Sequence, residues 1–403
     1  MTSANNTNIN SSSPFDQWRC IVISLYMTLV GYGVLVGIPV ISTAWVNLLG
    51  FSEVEVGRVA GADLGGLSLG AFTTSFLVAK VNRRWLAVVG ILLAVIANGL
   101  CIVWVEYSEV LWLRLLAGFG SGIYTAVAVS SLGANSNPAR AYNAMLFAFA
   151  FSQALEMHFL PLLSMPQIYS VFILCFLITL PFIGWIPKDS SRGPIPEQTH
   201  DQAPEGVRFA ADIPKYVPWL CLLAMVITYI NIGSYWTYIE LAALADQATP
   251  AWIGNVLVWS SLCSLVGCAF ATLLSNRFGL LRPLLVALLS MALIVGLLIN
   301  GITDSILLIS VFSFNLLWIF IDVYQMSTVA NIDPLGKYAS MIPAAQGLGQ
   351  IIGPNLAASL LALNFGYGGV FMMCSGAALV AMAIYATMFM RLRKTLPALA
   401  YAP

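Results

Sequence analysis

The sequence predicts an all-α membrane protein, with twelve transmembrane helices forming two pseudo-symmetric six-helix bundles. Three observations predict it. The chain is poor in charge, apolar intervals long enough to cross a bilayer recur along it, and its basic residues crowd into every second loop. Of 403 residues 60% are hydrophobic and 8% charged, with a mean hydropathy of +0.88. Soluble proteins carry about 25% charged residues, so a water-soluble fold of this composition could not cover its surface. The 17 basic and 17 acidic residues cancel, which argues neither for nor against nucleic acid, and no nucleic-acid partner is expected. The seven cysteines are odd in number and lack metal or redox spacing. They read as small core residues, and no metal or cofactor is expected.

A hydrocarbon core of about 30 Å takes about 20 apolar residues per helix. Breaking the chain at charges and at Gly/Pro turns gives helices 1 to 6 at 19–45, 55–79, 85–105, 110–132, 141–163 and 167–187. Helices 7 to 12 follow at 217–244, 251–275, 283–302, 305–329, 338–362 and 368–390. Residues 1–18 read as a disordered cytoplasmic tail, polar and without a cleavable leader. Residues 19–187 form an N-terminal bundle, 188–216 a cytoplasmic linker, 217–390 a C-terminal bundle and 391–403 a cytoplasmic tail. The linker carries nine charged residues between Lys188 and Lys215. No segment shows the ten-residue alternation of a β-barrel strand.

Charge placement tests this topology. With both termini in the cytoplasm, 15 of the 17 Lys and Arg residues fall on the cytoplasmic side. The opposite loops hold only Glu53, Glu55, Glu106, Glu109, Asp246 and Asp304. Arg58 and Arg114 lie within helices. This is a positive-inside pattern. The halves also echo each other: Ala134–Met145 (ANSNPARAYNAM) and Ala330–Met341 (ANIDPLGKYASM) share Ala, Asn, Pro, Tyr and Met at an offset of 196. Parallel six-helix repeats have a symmetry axis along the membrane normal.

Two further segments carry a family resemblance. Ser75 to Arg84 (SFLVAKVNRR) and Asn276, Arg277, Gly279 and Arg282 fall in the loops after helices 2 and 8. Their basic positions match a Gly-x-x-x-Asp-Arg-x-Gly-Arg-Arg pattern, with Ala79 in place of the acid. Arg114 to Gly122 (RLLAGFGSG) matches Arg-x-x-x-Gly-x-Gly in helix 4. Together with the helix plan, these segments resemble the major facilitator superfamily over the whole chain. The resemblance implies a bacterial-type secondary transporter of the inner (plasma) membrane, with Lys80, Arg83, Arg84, Arg277 and Arg282 in gating loops. Its antiporters often carry Gly-x-x-x-Gly-Pro in helix 5. Here that sequence is missing from helix 5 and present in helix 11 as Gly349 to Pro354.

Charges at membrane depth are costly, at least about 2.5–3.5 kcal/mol each on insertion scales, so those present are functional candidates. Asp63 in helix 2 reads as a proton-accepting carboxylate facing a cavity, or as a buried ion pair with Arg114 or Arg58. Arg114 reads as its electrostatic regulator or as a snorkelling side chain. Glu156 and His158 in helix 5 are candidate proton carriers. Two residues apart on a helix they cannot share a face, whereas Gln153 and Glu156 can. Asp322 in helix 10 shares a face with Trp318 and Gln325, and an acid, an aromatic and an amide together suit a cationic or zwitterionic solute. Tyr26 and Tyr32 on helix 1, and Tyr229, Asn231, Tyr235 and Glu240 on helix 7, complete the expected cavity lining. Trp236 and Tyr238 read equally as an interfacial aromatic belt. Gly31, Gly33, Gly37 and Pro39 make helix 1 bendable.

The chain therefore reads as a proton-coupled symporter of a small organic solute, working as a monomer in the lipid bilayer. Proton-coupled drug or metabolite efflux is the alternative. No Walker segment occurs, and two histidines without a nucleophile–base pair give no basis for an enzyme. A receptor without flux would leave the intramembrane charges without purpose.

Overall fold

The computed structural model describes residues 14–78, 80–136, 138–188, 214, 216–278, 281–332, 338 and 341–395. The remaining residues, including most of the expected linker, the ends of both tails, Ala79, Lys337 and much of the second repeat, lie outside the described residues. Among the described residues twelve helical spans follow one another. In the first half α1 runs Trp18–Gly31 and Gly33–Leu49, α2 Glu53–Leu77, α3 Arg83–Val103, α4 Tyr107–Gly133, α5 Pro138–Phe159 and α6 Met165–Ile178, extended by a 3-10 segment Leu180–Trp185. In the second half α7 runs Val217–Ala245, α8 Pro250–Ser261 and Cys263–Phe278, and α9 Leu281–Gly296. Next come α10 Asp304–Ile332, α11 Ile342–Ala362 and α12 Gly366–Thr395. No strand occurs among the described residues.

Side-chain caps move several helix ends from their expected places. Ser52 and Glu55 form a capping box that starts α2 at Glu53, two residues early: the Ser52 amide donates to Glu55 Oε2 at 2.8 Å. Asn82 caps α3, its side chain accepting from the Arg84 amide at 2.9 Å. The expected disordered tail is ordered from Pro14. Phe15 is buried beneath the Arg83 guanidinium, 4.7 Å from its ring, and Asp16 accepts from the Ser136 amide at 2.7 Å. The last helix runs past Met390 to Thr395, where Arg391 suits the negative end of the helix dipole.

Nine spans among the described residues are long and apolar enough to cross a membrane on their own. The exceptions are the short α9 and the glycine-rich α2 and α11. The last two pack on each other at the centre, so neither must present a fully apolar circumference to lipid. In the N-terminal half α4 packs against α2 and α3 through glycines. A Cβ on Gly66 would strike the Leu115 carbonyl, and one on Gly118 the Asp63 carbonyl. In the C-terminal half α7 packs on α11 and α12, and Gly349 and Gly353 bring α11 onto the α7 backbone.

The helix ends carrying Glu53, Glu106, Asp246 and Asp304 form an acidic face, and those carrying Arg83, Arg140 and Arg391 a basic face. On the acidic side the halves are closed on each other. Tyr238 Oη donates to the Glu53 carbonyl at 2.9 Å, and Trp236 Nε1 to the Val36 carbonyl at 3.3 Å. Toward the basic side, α5 and the second segment of α8 border a cavity of about 330 Å³ lined by Asn143, Phe147, Ser264, Cys268 and Ile319.

Overpacking a close helix crossing costs about 1–3 kcal/mol or more. Gly118→Leu is therefore expected to lower the unfolding midpoint of the detergent-solubilised protein clearly. Gly376→Leu, at a position with nothing within 4 Å of its Cβ, should leave it near the parent value in the same fluorescence melt.

Candidate functional site: the seam between the halves

Four side chains gather midway along the seam. On α10, Trp318, Asp322 and Gln325 share one face, as their spacing predicts, and Asn315 extends that face one turn toward the acidic side. From α7, Tyr229 Oη donates to Asp322 Oδ2 at 2.7 Å. Thr228 accepts from Gln325 Nε2 at 2.8 Å. Asp322 Oδ1, Gln325 Oε1 and Trp318 Nε1 are buried without partners. Trp318 stands beside Asp322 and Tyr385 beside Gln325, in neither case with a well-formed hydrogen bond to these atoms.

Aromatic rings border this polar group. Trp236 lies seven residues beyond Tyr229 on the same face of α7, about 10 Å nearer the acidic side. Its ring centroid is 6.1 Å from that of Trp318. On α1, Tyr32 sits one turn before Val36, whose carbonyl holds Trp236. Tyr32 packs on Phe149 of α5, with centroids 5.3 Å apart. Gln153, one turn beyond Phe149, donates to Asn315 at 3.4 Å and joins α5 to α10. Asn315 in turn donates to Ser260 of α8 at 3.2 Å. Trp236 and the Gln153–Asn315 bond thus close the site toward the acidic face.

A second constellation lies within the N-terminal half. Arg114 and Asp63 are each 2% exposed and form an ion pair. Arg114 Nε donates to Asp63 Oδ2 at 2.6 Å and Nη1 to Asn98 Oδ1 at 2.8 Å. The guanidinium lies 5.5 Å from the Tyr169 ring, and Trp45 Nε1 donates to Tyr169 Oη at 3.1 Å.

A family model described as Major Facilitator Superfamily matches residues 20–332. The chain belongs to the major facilitator superfamily. It is a multi-pass membrane protein and a secondary transporter. Two structures of the nucleoside transporter NupG, one of them a point mutant, are similar to it with a TM-score of 0.70. The mutant is 14% identical over 92% of this chain and 100% of its own, and the other is 12% identical over 92% and 98%. The human organic anion transporter MFSD10 (TETRAN) is similar with a TM-score of 0.61 and 12% identity, over 91% of this chain and 98% of its own. No curated protein sequence matches the chain.

Several expected site residues of this superfamily member lie elsewhere. Asp63 does not face a cavity, because the guanidinium fork of Arg114 and the surrounding helices seal it. Arg114 is buried and does not snorkel. His158 is exposed on the far side of α5, its ring on Phe159, while Glu156 turns inward, as two residues of helix require. Tyr26 donates to the Cys175 carbonyl of α6 at 2.8 Å. Tyr235 stacks on Phe314 at 3.8 Å and bonds Ser310 within the C-terminal core. Asn231 is fully buried on the opposite face of α7 from Tyr229, with both amide atoms unpartnered. Glu240, one turn beyond Trp236, lies at the acidic end of the seam with Oε2 unpartnered. Trp236 and Tyr238 are buried seam contacts rather than an aromatic belt.

Of the basic loop residues, Lys80 is exposed. Arg83 donates to Ser131 Oγ at 3.2 Å, and Arg84 Nε to the Ile186 carbonyl at 2.6 Å, both inside the N-terminal half. Arg282 borders a groove of about 400 Å³ with Phe270, Pro283, Val286 and Phe320. The Arg277 side chain lies outside the described residues.

Sequence reasoning missed the role of Arg58. Its Nη1 donates to the Asn355 carbonyl at 3.1 Å and to Asn355 Oδ1 at 2.9 Å, and its Nη2 to Ser359 Oγ at 2.9 Å. All three acceptors lie on α11, so Arg58 clasps the two halves together on the acidic side. The available signal was a lone arginine near an otherwise acidic face.

Breaking one partner of a buried ion pair costs about 3–5 kcal/mol. Arg114→Leu is expected to lower the unfolding midpoint strongly, and adding Asp63→Leu to recover part of the loss. Arg58→Ala is expected to increase thiol labelling of a cysteine placed at Thr43, in a cysteine-free background. Thr43 lies seven residues beyond Val36 on the same face of α1, and its exposure reports on the closed seam.

Proposed function

We propose that this transporter moves a small organic solute rich in hydrogen-bond donors, in symport with protons, by alternating access of its two halves. One observation carries the reading: Asp322 Oδ1 and Gln325 Oε1 are unpartnered acceptors between aromatic rings, at the meeting of the halves. Buried acceptors left unpaired cost about 1–3 kcal/mol each, and a bound solute with O–H or N–H groups removes that cost. The flanking Trp318, Tyr229 and Tyr32 rings suit a flat or weakly polar body. A nucleoside has both features, and NupG is a nucleoside transporter, so nucleosides are the first class to test.

Symport fits a chain whose fifth helix lacks the Gly-x-x-x-Gly-Pro sequence. The basic side faces the cytoplasm of a bacterial inner membrane in this reading, with both termini there. The conformation described above, closed at the acidic face, is then the inward-facing one. The chain acts as a monomer, without a cofactor. Export by proton antiport would use the same seam in reverse, and the direction of flux distinguishes the two.

In proteoliposomes, an inward proton gradient is expected to drive uptake of labelled uridine or a related solute. Asp322→Asn should reduce that uptake about tenfold or more, the effect of losing roughly 1.4 kcal/mol or more of solute binding. Unchanged uptake in this variant would remove Asp322 from the site.

A further inference from the structure

Glu156 is a half-buried carboxylate that the solute site leaves unused. Its side chain leaves α5 toward α1 and lies against the two positions where α1 has no side chain. A Cβ on Gly37 would stand 2.7 Å from Glu156 Oε2, and one on Gly33 3.4 Å from Oε1. Leu160 and Phe172 close the notch, lying 3.2 Å and 2.9 Å from those same two Cβ positions. Ser152 Oγ donates to Oε1 at 3.2 Å, and Oε2 is buried without a partner.

The notch adjoins the break in α1. The first segment ends at Gly31, whose carbonyl accepts from Ser121 Oγ at 2.5 Å, and the second starts at Gly33. The titratable group that faces Glu156 among the described residues is Cys175 from α6; Tyr32 of α1 packs on Phe149. Ser152 and Gln153 on its own helix are neutral, His158 points away, and the Arg114 guanidinium is bonded to Asp63 and Asn98. No cation among these neighbours compensates a charge on Glu156. A carboxylate with one oxygen buried and unpaired is far costlier than the neutral acid, so this arrangement suits the protonated form. Loss of the proton would favour a geometry in which the carboxylate reaches water, and the contact between α5 and α1 would have to open.

We infer that Glu156 carries the coupled proton and that the Gly33/Gly37 notch transmits its protonation state to the break in α1. This rests on the symport reading above and adds the carrier to it. Asp322 then serves the solute and Glu156 the proton, on opposite halves, and Asp63 serves neither.

The test uses the full-length protein in proteoliposomes, with labelled uridine as the probe and other nucleosides in turn. The parent is expected to accumulate solute under an inward proton gradient and to lose this with a protonophore. Glu156→Gln, a permanent mimic of the protonated acid, is expected to exchange solute across the membrane with a flat pH profile and to accumulate none. Gly37→Ala keeps the acid but crowds its Oε2. It is expected to move the pH profile of exchange toward acid, because more protons are then needed to fill the site. A parent indifferent to the protonophore overturns the symport reading. A responsive parent with an equally responsive Glu156→Gln overturns the Glu156 assignment alone. If Glu156→Gln cannot be purified, an unshifted Gly37→Ala profile overturns it instead.

Discussion

Hydrocarbon has no hydrogen-bond acceptor, and Arg114 brings five donors into it. Asp63 of α2 and Asn98 of α3 accept from the guanidinium, Tyr169 of α6 lies beside it, and Trp45 of α1 holds Tyr169 in place. Four helices are thereby fastened to α4 around one side chain. Glycine makes the arrangement possible, because Gly118 lets the α2 backbone approach at the Asp63 carbonyl. A half knitted together in this way can move as a unit, and a mechanism in which two halves rock against each other depends on that.

The seam between the halves is built differently. Arg58 meets a carbonyl, an amide and a hydroxyl, while Trp236 and Tyr238 each donate to one backbone carbonyl. Neutral hydrogen bonds contribute about 0.5–1.5 kcal/mol net, and those to a charged group about 1.5–3. None of these contacts leaves an unpaired carboxylate behind when it separates. The ion pair thus lies within a half, and the weaker bonds described here lie between halves. That division suits a closure made and broken in every cycle.

The helix plan was legible because its cause is local. A bilayer sets the length of each apolar run, and the Lys and Arg residues mark alternate ends. The α10 face of Trp318, Asp322 and Gln325 was legible for the same reason, since three- and four-residue spacing fixes a helix face whatever surrounds it. Caps were less visible: the reciprocal bonds of Ser52 and Glu55 shifted the start of α2, and Phe15 ordered a stretch that its polar neighbours disguised. Tyr26 and Tyr235 have the composition of cavity residues, yet each turns to a neighbour within its own half, and Asn231 is buried with its amide unpartnered. Side-chain type does not record the rotational setting of a helix in its bundle.

By itself the sequence determined that lipid surrounds this chain, how many times it crosses, and which charges would need an explanation at depth. Those follow from hydropathy, length and charge order along one dimension. Tertiary structure decided which charges were already answered. Asp63 and Glu156 are both acids in apolar helices. One meets a guanidinium 51 positions away in the chain, and the other meets the empty flank of Gly33 and Gly37. The physical reason is that a buried charge is judged by what lies within a few ångströms of it, and helix packing sets those neighbours, not chain order.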